Sequence, residues 1–109
     1  MGEVVVVAIM TAVEGQRDAL EEVAKEMVIP PTHAEEGCIA FALHRDVRDP
    51  SRLAFIERGG SPEALEAHLQ QPHLAAFREK AGPLNAQPPL ILVLEGVAAG
   101  DAVKGVLGG

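Results

Sequence analysis

Tryptophan and tyrosine are absent from this chain, and its aromatic residues apart from histidine are Phe41, Phe55 and Phe77. A site built here for a planar molecule has no indole to stack on it and no phenol to donate to it. Cysteine is nearly absent as well. The single residue, Cys38, cannot close an internal disulfide, so a reducing compartment, the cytoplasm, is expected. Basic residues are scarce: 9 Lys and Arg stand against 16 Asp and Glu, for a net charge of −7 and a pI near 5.0. Such an acidic surface attracts neither nucleic acid nor an anionic membrane, and both are excluded as partners. No apolar run is long enough to span a bilayer. The run VVVVAIM follows Glu3, with no basic flank and no small-residue cleavage pattern, so it reads as a strand rather than a signal peptide. Paired cysteines, a phosphate-loop glycine pattern and HExxH are all missing, which leaves histidines and acids to carry any chemistry.

What is present is regular. Val4 to Val13 is almost continuously apolar and β-branched, the pattern of a strand covered on both faces. From Gln16 to Ile29, Ala19, Leu20, Val23, Ala24 and Met27 recur at helical spacing, with Glu21 among the charged residues opposite. Pro30-Pro31 is expected to end that helix. THAEEG then predicts a short turn, with Thr32 and Glu35 at capping-box spacing and Gly37 as its stop. Cys38–Arg45 alternates as a strand, Ile39, Phe41 and Leu43 pointing one way and Ala40, Ala42 and His44 the other. DVRDPS turns the chain into a third strand, Arg52–Arg58, on which Leu53, Phe55 and Glu57 share a face. Ser61-Pro62-Glu63 starts a helix, and Pro72 starts another that carries Leu74, Phe77 and Ala81 inward. LILVL, within Pro89–Val97, is a last strand.

The order β-α-β-β-α-β is the ferredoxin-like α+β pattern, an antiparallel sheet with helices on one face. Residues 1–97 form that domain, and 98–109 are a small, glycine-rich tail. The first and last strands show no polar face, and the helices cover one side of the sheet alone. The other side is therefore expected to pack against a second copy, making a homodimeric α/β barrel.

Among the chemical residues, Glu57 is the sharpest. A carboxylate in phase with Leu53 and Phe55 is buried on an apolar face, which requires a partner or a cavity. His68 lies on the same helical side as Leu65 and Leu69, where a packed, hydrogen-bonded histidine is the commoner outcome and a base the functional one. His68 and His73 are five positions apart across Pro72, poor spacing for ligands on one helix face, so no metal is expected. His73 reads as a surface or capping residue and His33 as solvated. His44, beside Ala40 and Ala42, is a pocket candidate. Cys38 reads as a small core hydrophobe.

EEGCIAF at Glu35–Phe41, FIER in the third strand and SPEALEAHLQQPHLAAF at Ser61–Phe77 together resemble the antibiotic biosynthesis monooxygenase family, in its quinol-oxidising branch. Glu57, Leu65, His68, Leu69, Pro72 and His73 fall on the family pattern, and the resemblance runs to about Val97. It implies oxidation of a quinol or phenol by dioxygen without cofactor, with His68 as base, Glu57 as its partner, and Phe41, Phe55 and Leu65 as walls. Where family members commonly carry a pocket tryptophan, two residues after the glutamate, this chain has Gly59. The resemblance leaves room for a non-enzymatic binder of a quinone-like ligand, and for an isomerase of a small carbonyl compound using the same His and Glu. Haem degradation, known in relatives, uses a tryptophan and an early asparagine that this chain lacks, Asn85 being its only asparagine.

Overall fold

The computed structural model describes residues 2–107. Residues 108 and 109 of the expected tail lie outside them. Strand β1 (Val4–Thr11) leads through helices α1 (Arg17–Met27) and α2 (Ile29–His33) to β2 (Cys38–Arg45) and β3 (Arg52–Gly59). Helices α3 (Pro62–Leu69) and α4 (Pro72–Ala81), then a 3₁₀ turn (Gly82–Leu84), precede β4 (Leu90–Leu94). The strands form one four-stranded sheet in the order β2-β3-β1-β4, with antiparallel neighbours throughout. This is the ferredoxin-like α+β fold expected from the element order. No helix among the described residues is long and apolar enough to cross a membrane.

Period-two burial sets the core. Val4, Val6, Ala8 and Met10 of β1 are buried, with Phe41, Leu53 and Phe55 beside them on the neighbouring strands. Leu20, Ala24 and Val28 from the first helical segment and Leu74, Phe77 and Ala81 from α4 close over this face. The alternate residues Val5, Val7 and Ile9 are half-buried, and they align with Leu94, Leu92 and Leu90 on β4, which are 43%, 42% and 56% exposed. The outer face of the sheet is thus apolar and largely uncovered in the single chain, with Val106 and Leu107 of the tail bordering Val5 and Leu94 at one end.

Three local expectations are corrected. The first helix stops at Met27, ahead of Pro30-Pro31 as expected but two residues short of Ile29, and the prolines then sit in the first turn of a second short helix, α2. Amides there lack an intrahelical partner in any case, so proline costs nothing. Thr32 is not a cap: it is 2% exposed within α2 and makes no side-chain bond to an amide. Glu21, placed by periodicity on the polar face, is 8% exposed, and both its oxygens accept from Arg45 of β2, at 2.7 and 2.8 Å. That bidentate pair holds the Glu21 carboxyl below the usual carboxylate range. At Gly37 a Cβ would come within 2.5 Å of the Ala64 Cβ, so glycine is what lets α3 approach the turn before β2.

Candidate active site

Glu57 projects from the inner face of β3, paired laterally with Val6 of β1 and Phe41 of β2. Its side chain is 13% exposed. Burial, reinforced by the charge of Glu35, pushes its carboxyl up to about 7. Among the described residues, no lysine or arginine pairs with it.

His68 is delivered by α3, whose start is fixed by Ser61: its hydroxyl oxygen accepts the Ala64 amide at 3.1 Å, with Pro62 in the first turn. Two turns on, the ring is 8% exposed and meets Phe41 edge-on at a centroid distance of 5.7 Å. Its Nδ1 donates to Glu35 Oε2 at 2.8 Å, while Nε2 stands 3.9 Å from Glu57 Oε1. Glu35 comes from the turn between α2 and β2, and the same Oε2 accepts a second bond, from His73 Nε2 in the first turn of α4, at 2.8 Å. Thr32 Oγ1 lies 3.3 Å from that His73 nitrogen. The side chains form a row, Glu57–His68–Glu35–His73. An ionised carboxylate only accepts, so the Glu35 contact places the proton of a neutral His68 ring on Nδ1. Nε2 then offers a lone pair on the Glu57 side.

A cavity of about 250 Å³ opens between the sheet and α3 and α4. Its walls include Phe41, Phe55, Leu65, Leu69, Phe77 and Ile91, and the ionisable groups lining it are Glu57, His68 and Arg78. Phe41 and Phe55 stack at 4.5 Å with planes 22° apart, giving one flat wall. A smaller void of about 30 Å³ adjoins it past Glu57 and Leu65, bounded by Gly37, Cys38, Gly59 and Ala64. Gly59 thus faces the void, and a Cβ there would make ordinary contact with Val4 at 3.4 Å. Burial, with the charges of Glu35 and Glu57, pushes the Cys38 thiol up, which keeps it a protonated hydrophobe rather than a nucleophile.

Of the residues singled out from sequence, the fold gathers His68, Glu57, Phe41, Phe55 and Leu65 around the larger cavity, and Gly59 beside it. His44 is not among them. It aligns with Ala54 on the outer face of the sheet, exposed, with Nδ1 donating to the Ala42 carbonyl at 3.1 Å. His33 bonds the Phe41 carbonyl at 2.8 Å and so braces β2. Sequence reasoning missed Glu35, Thr32 and His73 as site residues. The five-residue spacing of His68 and His73 does not keep them apart, because the rings approach each other from two helices, α3 and α4. The ligating atoms of Glu35, His68 and His73 all lie within 4.8 Å of one another.

The sequence profile of the antibiotic biosynthesis monooxygenase family matches residues 3–80. The chain is 36% identical to Rv0793 of Mycobacterium tuberculosis over 78 residues, covering 72% of this chain and 75% of that protein. It is 35% identical over 68 residues to a protein named "Probable quinol monooxygenase YgiN" from Escherichia coli K12, covering 55% of this chain and 64% of that one. Among solved structures, Rv0793 superposes with a TM-score of 0.81 at 30% identity, over 91% of this chain and 99% of that chain. PA3566 of Pseudomonas aeruginosa also reaches 0.81 at 30% identity, over 90% and 97% of the respective chains.

Proposed function

This chain belongs to the antibiotic biosynthesis monooxygenase family, and from that premise we propose that it oxidises a quinol or related phenol with dioxygen, using His68 as the base. The observation that carries the reading is the meeting of Glu57 and His68 in a largely apolar cavity walled by stacked phenylalanines. The name carried by YgiN supports quinol as the substrate class. Proton removal from a quinol hydroxyl by His68 Nε2 leaves an electron-rich anion able to pass an electron to oxygen. The substrate is the sole reductant: one oxygen atom enters its ring and the other leaves as water, so the product is a hydroxylated quinone. The protein contributes a dry cavity, the base and the charge pattern around it, and no cofactor enters the scheme. Glu35 positions His68 by holding its proton on Nδ1. Glu57, poised near neutrality, holds the substrate oxygen or shares its proton.

The working unit in this reading is a homodimer in the cytoplasm, joined through the uncovered sheet face. Burying Val5, Val7, Ile9 and the β4 leucines against their symmetry mates removes an exposed apolar surface from water.

Oxygen uptake by the metal-free protein with a panel of quinols and naphthols, beside a His68→Ala variant, tests the proposal. Uptake above the spontaneous rate, falling by about 100-fold in the variant, is expected for loss of a general base. Tight binding of the same compounds, without uptake and unaffected by His68→Ala, would instead favour a binding module. The glycine at position 59 is the observation on that side, because it removes a stacking partner. Turnover of a carbonyl compound without oxygen would select an isomerase.

A further inference from the structure

We infer that Glu35, His68 and His73 form a binding site for a divalent transition-metal ion of zinc's class, and that occupancy switches His68 from proton acceptor to proton donor.

The donor set is the first argument. Two imidazole nitrogens and a carboxylate oxygen, brought from α3, α4 and the α2–β2 turn, converge on one point. Two imidazoles with one carboxylate suit Zn²⁺ and its neighbours and leave a fourth position open. Metal–ligand bonds of about 2.0–2.1 Å in a tetrahedron set ligand atoms roughly 3.3 Å apart. Glu35 Oε2 is already 2.8 Å from both His68 Nδ1 and His73 Nε2, so sub-ångström widening admits an ion. Thr32 Oγ1, 3.3 Å from His73 Nε2, adds a buried oxygen at the same point.

Charge is the second, independent argument. Glu35 and Glu57 flank His68 with side chains 14% and 13% exposed, and among the described residues their ion-pair partners are histidines alone. Arg45 pairs with Glu21 and Arg58 with Glu3, and Arg78, which lines the cavity, forms no ion pair with either carboxylate among the described residues. A dication would neutralise this pair of shielded carboxylates inside a chain whose net charge is −7.

The consequence follows from which nitrogen faces which way. A ligating nitrogen must give up its proton. The neutral His68 ring would surrender Nδ1 to the ion and carry its proton on Nε2, which faces Glu57 and the cavity. His73 likewise would carry its proton on Nδ1. The base of the proposed reaction thereby becomes a hydrogen-bond donor. This consequence for turnover rests on the quinol-oxidation reading; the metal site itself does not.

Cobalt(II) titration tests the site without reference to activity. Visible d–d bands at one ion per chain are expected, abolished by Glu35→Gln and by His73→Ala and retained by His44→Ala. Competition with zinc should show each ligand substitution weakening affinity by roughly 10-fold or more. Absence of saturable bands, or bands that survive Glu35→Gln and His73→Ala, overturns the site. ¹⁵N spectra of the His68 ring, with and without zinc, test the switch: a proton moving from Nδ1 to Nε2 supports it, and an unmoved proton with zinc bound at full occupancy refutes it. If quinol oxidation is found, zinc should inhibit the wild type and leave the turnover of His73→Ala unaltered. Loss of the oxidation reading alone leaves the cobalt result standing.

Discussion

Glu57 Oε1 stands 3.9 Å from His68 Nε2, too far for a hydrogen bond and close enough that one oxygen atom reaches both. A substrate hydroxyl about 2.8 Å from each group would complete a triangle, as base and holder of a leaving proton require. In the proposed reaction the gap is where the reacting O–H sits.

The resting state carries a cost with a definite pH dependence. The Glu57 carboxyl moves from 4.5 to about 7 on folding. Between those values the folded chain holds a proton that the unfolded chain has lost. Stability attributable to this group thus falls as pH rises through that window and levels off above about 7. Glu57→Gln removes the dependence, so the stability difference between variant and wild type should shift in the variant's favour by up to about 3 kcal/mol between acid and alkaline pH. Urea unfolding at mildly acid and mildly alkaline pH measures it. A difference that does not widen with pH means Glu57 ionises normally.

In the proposed reaction Glu35 is a positioning residue, and its substitution has a signature that mere loosening lacks. In Glu35→Gln the amide group competes as a donor at His68 Nδ1, which disturbs the tautomer, and kcat should fall roughly 10-fold or more. The same change deletes one of the two causes that raise Glu57. Its titration, followed by carboxyl ¹³C shifts, should move down from about 7. Lower kcat with an unmoved Glu57 would reduce Glu35 to a structural strut.

Local periodicity found half of this site. Glu57 was legible because period two places it with Leu53 and Phe55, and His68 because helical spacing places it with Leu65. The element order and the apolar outer face were legible for the same reason. Glu35 was not: it meets His68 and His73 across 33 and 38 residues, which no local pattern reports. Its spacing from Thr32 pointed to a cap, and a polar turn concealed an inward carboxylate. Glu21 misled by the reverse route, as a residue of a charged face that tertiary contact with Arg45 makes a buried one. His44 shows the limit of alternation, which separates two faces but does not say which one carries the helices.

The glycine at position 59 borders a void of about 30 Å³, which admits a side chain's first atoms but holds a ring only if its neighbours shift. It shares the inner face with Glu57, its backbone is within the range of ordinary L-residues, and a Cβ there would make ordinary contacts with Val4 at 3.4 Å and the Ser61 carbonyl oxygen at 3.9 Å. Gly59→Trp presents a stacking surface if α3 moves back to admit the ring, at a stability cost of about 1–3 kcal/mol, and circular dichroism checks that the variant folds. Stacking contributes about 0.5–1.5 kcal/mol, which is a roughly 2- to 10-fold gain in affinity for a planar quinol. Calorimetry on both proteins reads it directly. Weaker binding in a folded variant would mean that the void is part of the ligand's own space.

The outer sheet face yields the last prediction. Val7 is its centre, flanked by Ile56 on β3 and Leu92 on β4. If two copies close over this face, a carboxylate at position 7 is buried in the interface without a partner, at a cost of several kcal/mol. If they do not, the same carboxylate sits in water, because Val7 is only half-buried in the single chain, and the substitution is mild. Val7→Glu therefore separates the alternatives by mass rather than by stability. Sedimentation of the wild type should give twice the chain mass of 11.5 kDa, and the variant should sediment as the single chain with an unchanged circular dichroism spectrum. A wild type that sediments as one chain would leave the apolar face without its proposed occupant. A variant that stays dimeric would place the contact elsewhere, most directly on the exposed edge of β4, where Ile91 and Val93 are 51% and 56% exposed beside the cavity mouth.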